Sequence, residues 1–344
     1  MNLLFSSKQS SFEMEYLKQL ILSKINIQSE IIIEEIGDKE IELLNKYPSI
    51  VIYSSIDKST NSKMNNLLRD KNLSYSLIHL SDEELKHDRK IYKNADFVLR
   101  PFFNPFIIKN NCFYIPAGFQ NGYLMNLSFT ENDFKRKYTW SFAGTIYRFR
   151  KEMVNELRKT SNYFLHETTS FFSEDRLDTN ELQNIYSESI FAPCPGGFSI
   201  PDSFRIMETL ELGCIPIVKK FMKIDYFKFI FGDHPFIVVN NWSDANKEIE
   251  KYLENRDLLL KKQIDTHSWY VKYKDDLKND ISNIYKNNFE KIVSSQFQYQ
   301  KNGKFNLTVL ICYYYWFFIR TNKLYIKINK SIYRLKQLIK KLIN

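Results

Sequence analysis

The chain has 344 residues and a mass of 41.2 kDa, with 44% hydrophobic and 26% charged residues and only 9 glycines and 9 prolines. That composition suits two globular domains and excludes a collagenous, low-complexity or disordered chain. The net charge of +9 is not spread over the molecule: residues 291–344 carry 11 Lys and Arg and no acid, which leaves 38 basic against 40 acidic residues in the body and argues against a nucleic-acid binder.

From the N-terminus, Met1-Asn-Leu-Leu-Phe-Ser-Ser-Lys is too short in its apolar run for a secretory signal, so a cytoplasmic location is expected. Short apolar strands then alternate with helical spacing, the pattern of βαβ units and a parallel sheet. Strands are predicted at Asn2 to Phe5, Ser49 to Tyr53, Tyr75 to Leu80, Phe97 to Arg100 and Phe113 to Ile115, and helices at Phe12 to Leu22 and Ser62 to Lys71. The polar run Ser128 to Tyr138 reads as a linker. A second series follows: a strand at Thr139 to Ala143, a helix from Arg150, a strand at Tyr163 to Leu165, a helix at Thr179 to Tyr186, and strands at Ile190 to Ala192, Ile215 to Val218 and Phe236 to Val239. Helices at Asp244 to Leu253 and Trp269 to Tyr285 complete it. The divisions expected are residues 1–127 as an acceptor-side domain, 128–300 as a donor domain and 301–344 as a basic amphipathic helical tail.

In the tail, the uncharged run Leu307 to Ile319 falls short of the roughly 17 to 25 residues of a spanning helix. Beyond it, Leu324, Ile328, Ile332, Leu335, Ile339 and Leu342 form an apolar stripe opposite Lys323, Lys327, Lys330, Arg334 and Lys341. This pattern fits a helix lying on an anionic membrane surface, or else one packed across both domains.

The segment Phe191 to Val218 carries the chemistry. It reads as a strand, the turn Pro195-Gly196-Gly197, a helix opening after Pro201-Asp202-Ser203, and another strand. Glycines let backbone N–H groups approach an anion, and a helix start turns its free N–H groups toward it. Arg205 and Glu208 lie on one face of that helix, where a guanidinium can grip a diphosphate and a carboxylate can accept from a ribose diol. Upstream, Trp140 to Leu157 repeats the theme with Gly144, Thr145, Arg148 and Arg150, the last followed by an apolar helical pattern. The bland alternative is a pair of ordinary βα turns whose charges are solvated.

These residues resemble the signature of the exostosin-like glycosyltransferases: Cys194-Pro195-x-Gly197, Ser203-Phe-Arg205, Glu208 and Gly213-Cys214-Ile-Pro216, with Phe204 and Thr209 where that family usually has Pro and Ala. The resemblance implies two doubly wound Rossmann-like domains facing across a cleft, the GT-B architecture, and inverting transfer from a nucleotide-diphosphate sugar. It makes Gly144, Thr145, Arg148, Arg150, Gly196, Gly197, Ser203, Arg205 and Glu208 the candidate donor-binding residues. No Asp-x-Asp occurs, so no metal and no separate cofactor are expected, the leaving group being met by arginine.

Inversion needs a base. His79, Asp82, Glu83, His166 and Glu167 stand near strand ends, and the sequence does not choose among them. Cys112, Cys194, Cys214 and Cys312 lack the spacing of a zinc site, and Cys194 and Cys214 read as buried fillers. The expected partners are a nucleotide sugar, a glycan or lipid-linked glycan acceptor, and an anionic membrane at the inner face of the cell membrane. Two other readings stay open: a fucosyltransferase-like enzyme using a guanine-nucleotide sugar, and a non-catalytic membrane-bound module that binds glycan or nucleotide.

Overall fold

Runs of aliphatic and aromatic residues buried on both faces form two all-parallel sheets, as crossovers covered by helices require. The structure, a computed structural model, describes residues 2–6, 10–32, 38–53, 66–69, 73–83, 89–103, 111–123, 135–147, 149–170, 173–197, 200–221 and 223–301. The first sheet contains β1 (Leu3–Ser6), β2 (Ser29–Ile32), β3 (Ser49–Tyr53), β4 (Tyr75–His79), β5 (Ala95–Arg100) and β6 (Cys112–Tyr114), in the order β2-β1-β3-β4-β5-β6. The second contains β7 (Tyr138–Gly144), β8 (Tyr163–Glu167), β9 (Ser189–Pro193), β10 (Ile215–Lys219) and β11 (Ile237–Val239), in the order β11-β10-β9-β7-β8. Strand order reverses between β1 and β3 and again between β7 and β9. Ligands of open α/β sheets bind outside the carboxyl ends at such switch points.

Local chemistry sets the helix starts. Asp178 caps the helix Thr179–Ser187 by accepting from the Glu181 N–H at 2.8 Å, while Glu181 accepts from the Asp178 N–H at 2.9 Å. Asn255 caps the 30-residue helix Arg256–Tyr285 by accepting from the Leu258 N–H at 2.9 Å. That helix begins 13 residues before the predicted one because the buried face of its first part includes Gln263 and Thr266, which break the apolar spacing. The predicted strands all form, and β2 is an addition: its Ser-Glu-Ile-Ile sequence sits half-exposed at a sheet edge and carries no alternation. The Phe12 to Leu22 stretch is a composite, with a 3₁₀ turn at Ser10–Glu13, one α turn at Met14–Tyr16 and a wider π turn at Leu17–Ile21. The predicted helix Ser62 to Lys71 is described only at residues 66–69, helical at 66–68 and a turn at 69. The tail beyond residue 301 lies outside the described residues, and no described helix is long and apolar enough to cross a membrane.

A single apolar core runs from the first sheet into the second half of the chain, through Ile206, Met207 and Leu210 and through Tyr270, Tyr273 and Leu277. A smaller cluster, with Trp140, Met153, Phe191 and Trp242, fills the other face of the second sheet. The joint between the halves is polar as well. Asp202 Oδ2 accepts from the Ala117 N–H at 2.9 Å, and Gln300 meets the edge strand β6 twice, accepting from the Tyr114 N–H at 2.8 Å and donating to its carbonyl at 2.9 Å. At the same joint Tyr16 Oη donates to the Pro116 carbonyl at 3.0 Å, and its ring packs closely against Gly118.

Gly118 has φ +88°, and a Cβ there would stand 2.4 Å from the Tyr16 ring. Backbone strain and overpacking therefore add at one atom. Gly118→Ala is expected to lower unfolding stability by about 2–4 kcal/mol in urea titration, and an unchanged midpoint would show that the joint yields freely.

Candidate active site

The second switch point falls between β7, which ends at Gly144, and β9, which leads into Cys194-Pro195-Gly196-Gly197. Two arginines converge there. Arg150, in the first turn of the helix Phe149–Leu157, donates from Nη1 to the Thr145 carbonyl at 3.0 Å and from Nη2 to the Gly196 carbonyl at 3.2 Å. Arg205, opening the helix Arg205–Glu211, donates from Nη2 to the Ala143 carbonyl at 2.6 Å. Phe142 on β7 lies beneath both, its ring centroid 4.3 Å from the Arg205 guanidinium carbon and 5.7 Å from that of Arg150. Gly144, at φ +142°, leaves the room: a Cβ would meet Arg205 Nη2 at 3.1 Å and Arg150 Nη1 at 3.7 Å.

Two cations held this closely raise the local potential. Burial, with the Arg205 charge adding to it, lowers Arg150 to about 10, and Arg150 is only 8% exposed. Arg150 Nε, Arg205 Nε, Ser203 Oγ and Glu208 Oε1 are all buried with no hydrogen-bond partner among the described residues. Native interiors seldom leave such groups unpaired, and here four come from the residues of one site. Glu208 is 3% exposed; burial raises its carboxyl to about 7, against the opposing pull of Arg205 and the Gln120 N–H.

The sequence-predicted set is thus mostly gathered here, with adjustments. Arg148 lies outside the described residues. Thr145 Oγ1 is 3.1 Å from Thr168 Oγ1 across neighbouring strand ends. Gly196 presents its carbonyl to Arg150, and Gly197 is crowded by Asp202 O and by Glu83 Oε1, 2.8 and 2.7 Å from where its Cβ would be. The helix N-terminus contributes less than expected: Arg205–Glu211 has seven residues, and the Ser203 N–H already donates to Asp202 Oδ1 at 2.8 Å. The two guanidinium groups therefore set the positive field. Glu208 is buried within reach of the Arg205 charge rather than standing in solvent.

Among the candidate bases, His79 and Asp82 are corrected to structural roles. His79 Nδ1 pairs with Tyr92 Oη, its ring edge-on to Tyr53, and Asp82 Oδ2 binds Arg100 Nη2 at 3.1 Å in a fully buried ion pair. His166 Nε2 is 2.6 Å from the Asp175 carbonyl, and both His166 and Glu167 belong to the edge strand β8. Glu83 alone of the five faces the glycine turn. Sequence reasoning missed Phe142, Tyr123 and Tyr186, which surround Arg205 and Glu208. Strand alternation could have marked Phe142; nothing local marks the tyrosines. Among the described residues no group of three His, Cys, Asp or Glu is arranged to hold a metal ion.

Two parallel sheets with an arginine-lined switch point have the arrangement of the GT-B glycosyltransferase fold. Residues 121–290 match the family model described as the RXYLT1 C-terminal domain, and that part of the chain is similar to the exostosin-like glycosyltransferases. The fold resembles that of a DNA-modifying β-glucosyltransferase solved with and without uridine diphosphoglucose, at 14% identity and a TM-score of 0.51 over 85% of this chain and 99% of that one. An α1,3-fucosyltransferase (11% identity, TM-score 0.46, 83% and 91% covered) and a glycosyltransferase from Rickettsia africae (11%, 0.48, 88% and 99%) are more distant in shape. No curated protein matches the sequence.

Burial is the main force holding three carboxyls above their ordinary range: Glu13 at about 8, and Asp202 and Glu208 at about 7. A raised folded value favours the protonated fold, so this contribution is complete below about pH 4.5 and is lost as pH rises through 7 to 8. Without ligand, the melting temperature is expected to fall between about pH 5.5 and 8.5, and Glu208→Gln to shrink that fall; an equal fall in the variant would mean that Glu208 titrates normally.

Proposed function

We propose that the protein transfers a sugar, with inversion and without a metal ion, from a nucleoside-diphosphate sugar to a growing bacterial surface glycan such as capsule or lipopolysaccharide. The observation that carries the donor reading is the set of four unsatisfied buried polar atoms on Arg150, Ser203, Arg205 and Glu208. Their chemistry is complementary to a nucleoside diphosphate: two guanidinium groups and a hydroxyl for phosphate oxygens, a carboxylate for the ribose diol. As the anomeric bond breaks, negative charge grows on the diphosphate. The guanidinium groups are already fixed by backbone carbonyls, so stabilising that charge costs little reorganisation.

Inversion is the stereochemistry that exostosin-like transferases imply. Metal independence is favoured by the absence of any Asp-x-Asp in the sequence and by the arginine pair that supplies the charge instead. A composition rich in Lys, Asn and Ile favours a bacterial, AT-rich source and hence a surface polymer as acceptor. The basic, acid-free tail favours peripheral attachment to the cytoplasmic face of the membrane, where lipid-linked acceptors are found.

Arg205→Ala and Glu208→Ala are each expected to weaken binding of the cognate nucleotide sugar by at least about 10-fold in calorimetry, and wild-type affinity in both would place the donor elsewhere. Sugar transfer is expected to persist in excess EDTA; loss of turnover that added divalent cation restores would remove the metal-independent mechanism.

A further inference from the structure

We propose that Glu83 is the general base that deprotonates the acceptor hydroxyl; this rests on the donor reading of the preceding section. Glu83 lies beyond the carboxyl end of β4, in the opposite half of the molecule from the arginines. Its Oε1 is 2.7 Å from where a Cβ on Gly197 would stand, so the carboxylate reaches across to the glycine turn. Arg150 and Asp202 both feel its charge. Glycine at 197 thus has a second use: any side chain there would collide with this carboxylate.

The approach to Glu83 is rigid. Ser81 takes a left-handed conformation at φ +60°, and Asp82 is locked to Arg100, whose Nη1 donates to Tyr92 Oη at 2.8 Å while Tyr92 also pairs with His79. His79, Asp82, Tyr92 and Arg100 form a buried polar network that ends one residue before Glu83. It fixes the backbone from which the carboxylate projects, the usual requirement for a group that must meet a proton at hydrogen-bond distance.

The other acids of this region are placed differently. Asp202 accepts from two backbone N–H groups, and Glu208 lies deep beside Arg205. Glu13 is 4% exposed, and its charge acts on Tyr16 rather than on either arginine. In the proposed step the acceptor oxygen forms its bond to the anomeric carbon as its proton passes to the Glu83 carboxylate. The bond from the anomeric carbon to the diphosphate oxygen breaks, and its electron pair leaves on the diphosphate beside Arg150 and Arg205. The protonated Glu83 then returns its proton to solvent.

The test uses the full chain with a panel of UDP- and GDP-sugars, reading donor affinity by calorimetry and nucleotide release in the presence of water and a panel of glycan acceptors. Glu83→Gln is expected to lower kcat by about 10²–10⁴-fold while donor affinity stays within about 3-fold, and Glu83→Asp to recover part of the rate. Glu83→Ala, which removes the carboxylate without adding an amide, should repeat the result. A kcat retained within about 3-fold in the Gln and Ala variants would overturn the proposal, as would a loss of affinity that accounts for the whole loss of rate. A wild type that binds none of the donors fails the donor reading itself. One that binds donor and never releases nucleotide refutes the role of Glu83 together with transfer.

Discussion

Two guanidinium groups held side by side in a buried site are the constraint on which the rest of this structure depends. Such a pair is costly unless something fixes it and something later compensates it. Three backbone carbonyls and the face of Phe142 fix it. The carbonyls come from the β7 exit and the glycine turn after β9, so the arrangement exists only where these two strands lie adjacent. That adjacency is the switch point of the second sheet. Glycine suits position 144, whose φ of +142° L side chains rarely adopt and where a Cβ would stand 3.1 Å from Arg205 Nη2.

The surrounding wall has the complementary character. Glu13, Glu83, Asp202 and Glu208 bring carboxyl groups to the joint and the cleft, and burial holds three of them well above their ordinary range. The joint is no loose hinge in this state, because one apolar core passes from the first sheet into the helices of the second half, and Asp202 and Gln300 bridge backbone groups across it. A site that must exclude water while gripping a charged donor gains from such a wall, since electrostatic interactions strengthen when solvent is removed.

Much of the fold was legible because parallel strands buried on both faces read as short apolar runs. The Ser189–Pro193 and Ile215–Lys219 strands stand out in this way, and the glycine turn and Arg205 helix between them are punctuated by Gly and Pro. The edge strand Ser29–Ile32 and the first half of the Arg256–Tyr285 helix were not legible: one is half-exposed, the other buries polar residues. In the site, Arg150, Arg205 and Glu208 declared themselves by spacing. His79, Asp82, Glu83, His166 and Glu167 looked alike, because a position near a strand end says nothing of what faces it.

The sequence by itself determined the class of chemistry: arginines and glycines at two strand exits, a carboxylate one helical turn on, and a basic tail set apart from a neutral body. These are local facts, written in spacing and composition. Only the tertiary structure decided that the two arginines share one aromatic support, that His79 and Asp82 are consumed by a buried network, and that Glu83 reaches the glycine turn from the other half of the chain. The physical reason is separation: Glu83 and Gly197 are 114 residues apart in the sequence, and only packing of the two sheets brings a carboxylate from one against the backbone of the other.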